Sequence, residues 1–161
     1  GTGTGCLLLA LLSEWPDADG IGVDIDSRTL AVATGNAAAL GLSARAAFVV
    51  ADWATALDGR FDLVVSNPPY IASDAIGRLE PEVARYEPRR ALDGGDDGLA
   101  AFRRLVPVLP RLLEPGGDVV FEVGAGQASM VEAMLHEIGV PYCGQHTDLA
   151  GIPRCISARI Q

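Results

Sequence analysis

Several things are scarce in this sequence, and each shortage removes a class of protein. Positive charge is one: 12 Lys plus Arg stand against 21 Asp plus Glu, a formal net charge of −9 with a pI near 4.5. An acidic surface repels phosphate, so wide contact with a nucleic-acid backbone is disfavoured. Cysteine is another. Cys6, Cys143 and Cys155 are odd in number, far apart and form no Cys-x-x-Cys. They read as free thiols in a reducing cytoplasm, not as a disulfide framework. His136 and His146 stand apart from each other and from any metal-like cluster, so no metal site is expected. Long apolar runs are missing too. Cys6 to Leu12 is too short to span a membrane. No basic residue precedes it, and Glu14 and Asp17 follow closely, so it reads as a buried helix and not a signal peptide. There are no repeats, coiled coils or low-complexity tracts. The chain opens without Met, inside the turn Gly1-Thr2-Gly3-Thr4-Gly5. Such a turn normally follows a strand, so a longer protein is expected.

What is present suits one domain: 161 residues, 49% of them hydrophobic. Apolar patterning alternates strand and helix, which predicts a largely parallel α/β sheet. Strands are expected over 21–25, 47–51, 61–66 and 118–123, with a final antiparallel pair near Tyr142–Thr147 and Arg154–Ile160. Helices are expected from Gly5 to Ser13, from Asp26 or Ser27 to about Leu40, from Leu99 to Leu113 and from Gln127 to Ile138. Gly41 and Gly139 serve as stop signals. Pro107 and Pro110 should break the third helix. Pro115-Gly116-Gly117 reads as a turn. Residues 71–96 form a long connection with at most one short helix, and connections of that length usually serve as lids or binding loops.

Three motifs follow successive strands. Glycines in the opening turn let the backbone bend sharply and approach a ligand closely. A ligand-free strand-to-helix turn would also use them. Asp24 can accept hydrogen bonds from both hydroxyls of a ribose, or help cap the next helix. Asp52 can accept from an exocyclic amine, and Trp53 can offer an adenine an apolar face or simply pack in the core. Ligands bind along the carboxyl edge of such sheets, so the ordered set is stronger than any member.

Asn67-Pro68-Pro69-Tyr70 is the most specific feature. An amide or aromatic amine is a poor nucleophile because its lone pair is delocalised. The Asn67 side-chain oxygen and the Pro68 carbonyl can accept both of its N–H groups and hold the nitrogen in line with a methyl donor. Catalysis would then rest on orientation and electrostatics, without a strong base. The prolines stiffen the strand end, and Tyr70 can pack on the flat acceptor. A Pro-Pro strand terminator is the plainer alternative.

These residues resemble those of class I S-adenosylmethionine-dependent methyltransferases of the amino-group type. Leu79-Glu80-Pro81-Glu82-Val83, Tyr86-Glu87-Pro88-Arg89, Ala91 to Leu99, Glu122-Val123-Gly124, Gln127 and Asp148-Leu149-Ala150-Gly151 look more narrowly like the HemK/PrmC family. That family methylates the glutamine of the Gly-Gly-Gln loop in peptide chain release factors. The resemblance covers almost the whole chain. It implies a Rossmann-like, mostly parallel seven-stranded sheet with an antiparallel C-terminal hairpin. The first strand of that sheet and a helical substrate-recognition domain are missing here, leaving residues 1–161 as the catalytic domain. It also implies S-adenosylmethionine as cofactor and a release factor as protein partner in the cytoplasm, with no membrane. Gly1, Thr2, Gly3, Gly5, Asp24, Asp52, Trp53 and Asn67 would hold the cofactor. Asn67, Pro68, Pro69 and Tyr70 would hold the glutamine amide, and Glu87 belongs to the segment from Glu80 to Leu99 that would shape the substrate channel. A nucleic-acid amino methyltransferase shares the tetrapeptide, and an inactive truncated copy is a further alternative. The acidic charge and the segment from Tyr86 to Gly98 count against the former, the intact tetrapeptide against decay in the latter.

Overall fold

The computed structural model describes residues 1–140 and 143–161. Internal contacts divide it into two compact units, Gly1–Leu57 and Asp58–Gln161.

The first unit is built from α1 (Cys6–Glu14), β1 (Gly20–Asp24), α2 (Ser27–Ala39) and β2 (Ala46–Val50). β1 and β2 are parallel, paired from Gly20↔Ala46 to Asp24↔Val50. Gly5 caps α1 at φ 82, in the left-handed region that glycine enters without a Cβ penalty. Asp26 caps α2 by accepting the Arg28 N–H at 2.9 Å; loss of such a cap typically costs about 1 kcal/mol. Gly41 follows α2 at φ 71, as a helix stop should. The core of this unit is Leu9, Leu12, Ala37 and Leu42, with Leu8, Ala18, Ala46 and Phe48 packed on it.

The second unit holds β3 (Phe61–Ser66), three short helical segments, and then α5 (Ala100–Leu105) and α6 (Leu109–Leu112). β4 (Leu113–Glu122), α7 (Ala128–Glu137), β5 (Cys143–Thr147) and β6 (Pro153–Arg159) complete it. The strand order is β3-β4-β6-β5, with β3 parallel to β4 and the other pairs antiparallel. Phe102 meets Phe121 edge-on at 5.8 Å, and both are fully buried, a favoured aromatic geometry.

Three expectations need adjustment. The strands form two hydrogen-bonded ladders, because no strand among the described residues bonds to both. The connection after β3 is not nearly structureless: a 3₁₀ turn (Ile76–Arg78), α3 (Pro81–Tyr86) and α4 (Arg89–Leu92) occupy it. Pro81 takes a first-turn position in α3, where its missing N–H has no helical partner to lose. The third helix is broken as its prolines predict, into α5, a 3₁₀ turn (Val106–Val108) and α6. β4 begins earlier than expected, at Leu113. Its register passes from Phe61↔Leu113 to Leu63↔Asp118, so residues 114–117 bulge out of the ladder, with Gly116 at φ 84. The hairpin is present, but Tyr142, the expected start of its first strand, lies outside the described residues.

Candidate active site

The predicted cofactor residues of the first unit come together at the end of its ladder. Asp24 closes β1, and its half-buried carboxylate braces the glycine turn. Oδ2 accepts the Gly3 N–H at 2.9 Å and Oδ1 accepts the Asp26 N–H at 3.0 Å. The Thr2 N–H donates to the Val23 carbonyl at 2.6 Å, which lays the turn against the strand end. Helix capping belongs to Asp26, so Asp24 organises the turn instead. Each carboxylate oxygen has a second lone pair, so the capacity to accept ribose hydroxyls remains. A Cβ built on Gly3 would meet nothing within 4 Å, so the turn borders open space.

The end of β2 lies beside Asp24: the Ala51 N–H donates to the Asp24 carbonyl at 3.0 Å. Asp52 and Trp53 follow at once. Trp53 has φ 55, the sole positive φ outside glycine among the described residues. A bulky side chain there costs about 1–2 kcal/mol, and such strain clusters at ligand clamps. An open glycine turn, a braced carboxylate and a half-buried indole at one strand edge fit a nucleoside with an amino-acid tail.

In the second unit the tetrapeptide leaves the sheet immediately after Ser66, whose partner Phe121 is the last rung of the β3–β4 ladder. Pro68 is buried and Asn67 is exposed. The Asn67 amide has no hydrogen-bond partner among the described residues, so it is available to a ligand. Tyr70 is held at both ends. Its phenol donates to Glu122 Oε1 at 2.8 Å and accepts from Arg154 Nη2 at 3.2 Å, while the Arg154 guanidinium lies 5.5 Å from the ring centroid. Burial, reinforced by the Glu122 carboxylate, pushes the phenol pKa above its ordinary value. At the other end the Tyr70 carbonyl accepts from Gln127 Nε2 at 2.9 Å.

The segment from Asp93 to Leu99 is fastened to the residues that follow the tetrapeptide. Ile71 N–H donates to the Leu92 carbonyl, Gly94 N–H to the Ile71 carbonyl and Ser73 N–H to the Gly95 carbonyl, at 3.0, 2.8 and 2.9 Å. Ser73 Oγ donates to Asp93 at 2.6 Å. Glu87 is different. It lies exposed just beyond α3, and no hydrogen bond among the described residues ties it to the tetrapeptide.

Glu122, a carboxylate at the end of β4 beside β3, stands out already in the sequence motif Glu122-Val123-Gly124, whereas Arg154 is a functional candidate that pattern alone does not single out. Arg154 carries no local signal, since it is aligned only by antiparallel pairing of Glu122 with Cys155. His136 is also less isolated than its sequence surroundings suggest. One ligand atom each of Glu132, His136 and Cys143 lie within 4.8 Å of one another, because Glu132 and His136 are one turn apart on α7. Glu132 already accepts from Gln145 Nε2 at 2.8 Å.

The chain is 53% identical over 159 residues to the release factor glutamine methyltransferase of Rhodospirillum rubrum, covering 99% of this chain and 49% of that protein. It is 49% identical over 160 residues to the protein of the same name from Bradyrhizobium diazoefficiens, covering 99% and 54%. The chain thus spans about half the length of the curated relatives it matches. The resemblance read from the sequence motifs therefore holds. Among solved structures, the ribosomal protein L11 methylase of Lactobacillus delbrueckii subsp. bulgaricus superposes with a TM-score of 0.64 at 22% identity, covering 100% of this chain and 66% of that one. That likeness is one of fold, the Rossmann-like class I methyltransferase fold. No helix among the described residues is long and apolar enough to cross a membrane. The model of the methyltransferase small domain family matches residues 1–81, from the glycine turn through the tetrapeptide, and the chain belongs to that family.

Proposed function

We propose that residues 1–161 are the catalytic domain of an enzyme that methylates the side-chain amide nitrogen of a glutamine, in the Gly-Gly-Gln loop of a peptide chain release factor. The reading rests most on the tetrapeptide. It stands at the carboxyl edge of a parallel strand pair, with Asn67 open and Tyr70 clamped by Glu122, Arg154 and Gln127. The names carried by the relatives support the same acceptor. A release factor as substrate would place the reaction in the cytoplasm.

When bound, S-adenosylmethionine supplies an electrophilic methyl group on a sulfonium. The Gly1–Gly5 turn would border its amino-acid end, Asp24 its ribose, and Asp52 and Trp53 its adenine. The Asn67 side-chain oxygen and the Pro68 carbonyl would accept the two N–H groups of the glutamine amide. Two acceptors fix the direction of the nitrogen and favour its pyramidal form, which frees the lone pair. Tyr70 would present its ring to the flat amide. As the new N–C bond formed, the methyl–sulfur bond would break, its electron pair staying on sulfur as a neutral thioether, and one amide proton would become acidic and leave to solvent.

The test is direct. The intact gene product is incubated with S-adenosylmethionine and a release factor, and methylation is mapped by peptide mass spectrometry. A methyl group on the loop glutamine is expected, with Asn67→Ala lowering the rate at least about 100-fold, the scale of one lost transition-state hydrogen bond. An unmodified glutamine in the presence of demonstrated cofactor binding would overturn the assignment.

A further inference from the structure

Gln127 caps α7 by position, yet its side chain does not cap the helix. Instead it points inward and is 8% exposed. Its amide is fully engaged. Oε1 accepts the Gly124 N–H at 2.9 Å, and Nε2 donates to the Tyr70 carbonyl at 2.9 Å and more weakly to the Gly98 carbonyl at 3.4 Å. One side chain therefore ties the turn that follows β4, the last residue of the tetrapeptide and the segment around Gly98. Burying an amide is favourable only when its hydrogen bonds are made, so the orientation admits no second arrangement. Flipping the amide would set oxygen against two carbonyls and a nitrogen donor against the Gly124 N–H.

We infer that Gln127 is a positioning residue for the transfer reaction: it locks the Tyr70 carbonyl, and through the stiff Pro68-Pro69 unit it holds the Asn67 and Pro68 acceptors in their reactive alignment. Gln127 touches neither reactant. It acts on the end of the tetrapeptide that Glu122 and Arg154 do not reach, since those two hold only the phenol. The kinetic part of this inference rests on the amide-methylation reading above. The structural part does not.

The test uses the intact protein with Gln127→Ala and Gln127→Glu. In the alanine variant, backbone amide exchange over 69–75 and 93–99 is expected to accelerate at least tenfold, while peptides over β3 and α7 keep their protection. With a release factor as acceptor, kcat should fall at least about 30-fold, with KM and cofactor affinity within threefold. The glutamate variant separates positioning from folding. Ionised, it faces two carbonyl oxygens; protonated, its O–H can donate to the Tyr70 carbonyl as the amide does. Its kcat relative to wild type should therefore rise as pH is lowered. If the alanine variant does not fold, the isosteric glutamate variant carries both measurements. Unchanged exchange in a folded variant, or a change confined to KM, would overturn the inference. Expected exchange with no methylation of the release factor by the wild-type protein would instead remove the proposed acceptor and leave the clamp standing.

Discussion

Replacing Gly98 by alanine should be among the most damaging single-methyl changes in this protein. Gly98 has φ +76, and a Cβ there would lie 2.3 Å from the Tyr70 carbonyl oxygen and 2.4 Å from Gln127 Nε2. Neither neighbour is the loose end of a flexible chain. One is backbone and the other is an amide committed to three hydrogen bonds. The left-handed conformation itself costs about 1 kcal/mol for a residue with a Cβ. Forcing a methyl into a close-packed junction adds about 1–3 kcal/mol. Separating Gln127 from Tyr70 adds about 1 kcal/mol for the lost hydrogen bond. The sum is roughly 3–5 kcal/mol, a large part of the 5–15 kcal/mol that holds a typical domain folded. Gly126→Ala is the matched control: its φ is +82, but nothing lies within 4 Å of the added methyl, so about 1 kcal/mol is expected. Urea unfolding followed by far-ultraviolet circular dichroism measures both. With a slope of about 2 kcal/mol per molar, the difference of roughly 2–4 kcal/mol from the control should make the Gly98 variant unfold roughly 1–2 M earlier. Equal midpoints would refute the close approach of Gly98 to Tyr70 and Gln127.

Acid should weaken the fold through carboxylates that hydrogen bonds hold in their charged form. Hydrogen bonds from Arg103 hold Asp97 at a pKa of about 2, against an ordinary 3.8. Asp118 beside Arg159, and Asp93 beside Ser73, are lowered in the same direction. A depressed folded pKa means stability present above the unfolded value and lost as pH falls through the folded one. The urea midpoint should therefore drop between about pH 4 and pH 2, and Arg103→Met should flatten that drop. An identical slope in the variant would remove the Asp97 pair as a cause. Thiol labelling should be ordered as well. Burial raises the pKa of Cys143 and of Cys155, with Glu132 and Glu122 adding to it, whereas Cys6 is exposed. At pH 8 iodoacetamide should modify Cys6 first, and prior labelling of Cys143, read by peptide mass spectrometry, would contradict the packing at the start of β5.

Local chemistry made much of this protein legible from sequence. Gly5, Asp26 and Gly41 mark helix ends by backbone rules that need no tertiary partner. Pro107 and Pro110 break a helix for covalent reasons, and Asn67-Pro68-Pro69-Tyr70 declares the end of a strand and the chemistry that can occur there. The short helices between Tyr70 and Leu99 were not legible. Neither α3 nor α4 buries a residue, so no apolar period announces them. The partners of Tyr70 depended on tertiary structure alone. Glu122, Gln127 and Arg154 lie 52, 57 and 84 residues away in sequence, and no local propensity can specify contacts at that separation. They meet because β3 and β4 run parallel and end at one edge, because β6 returns antiparallel beside β4, and because α7 starts where β4 stops. Sequence thus determined which groups could do the chemistry; the strand register determined which of them touch.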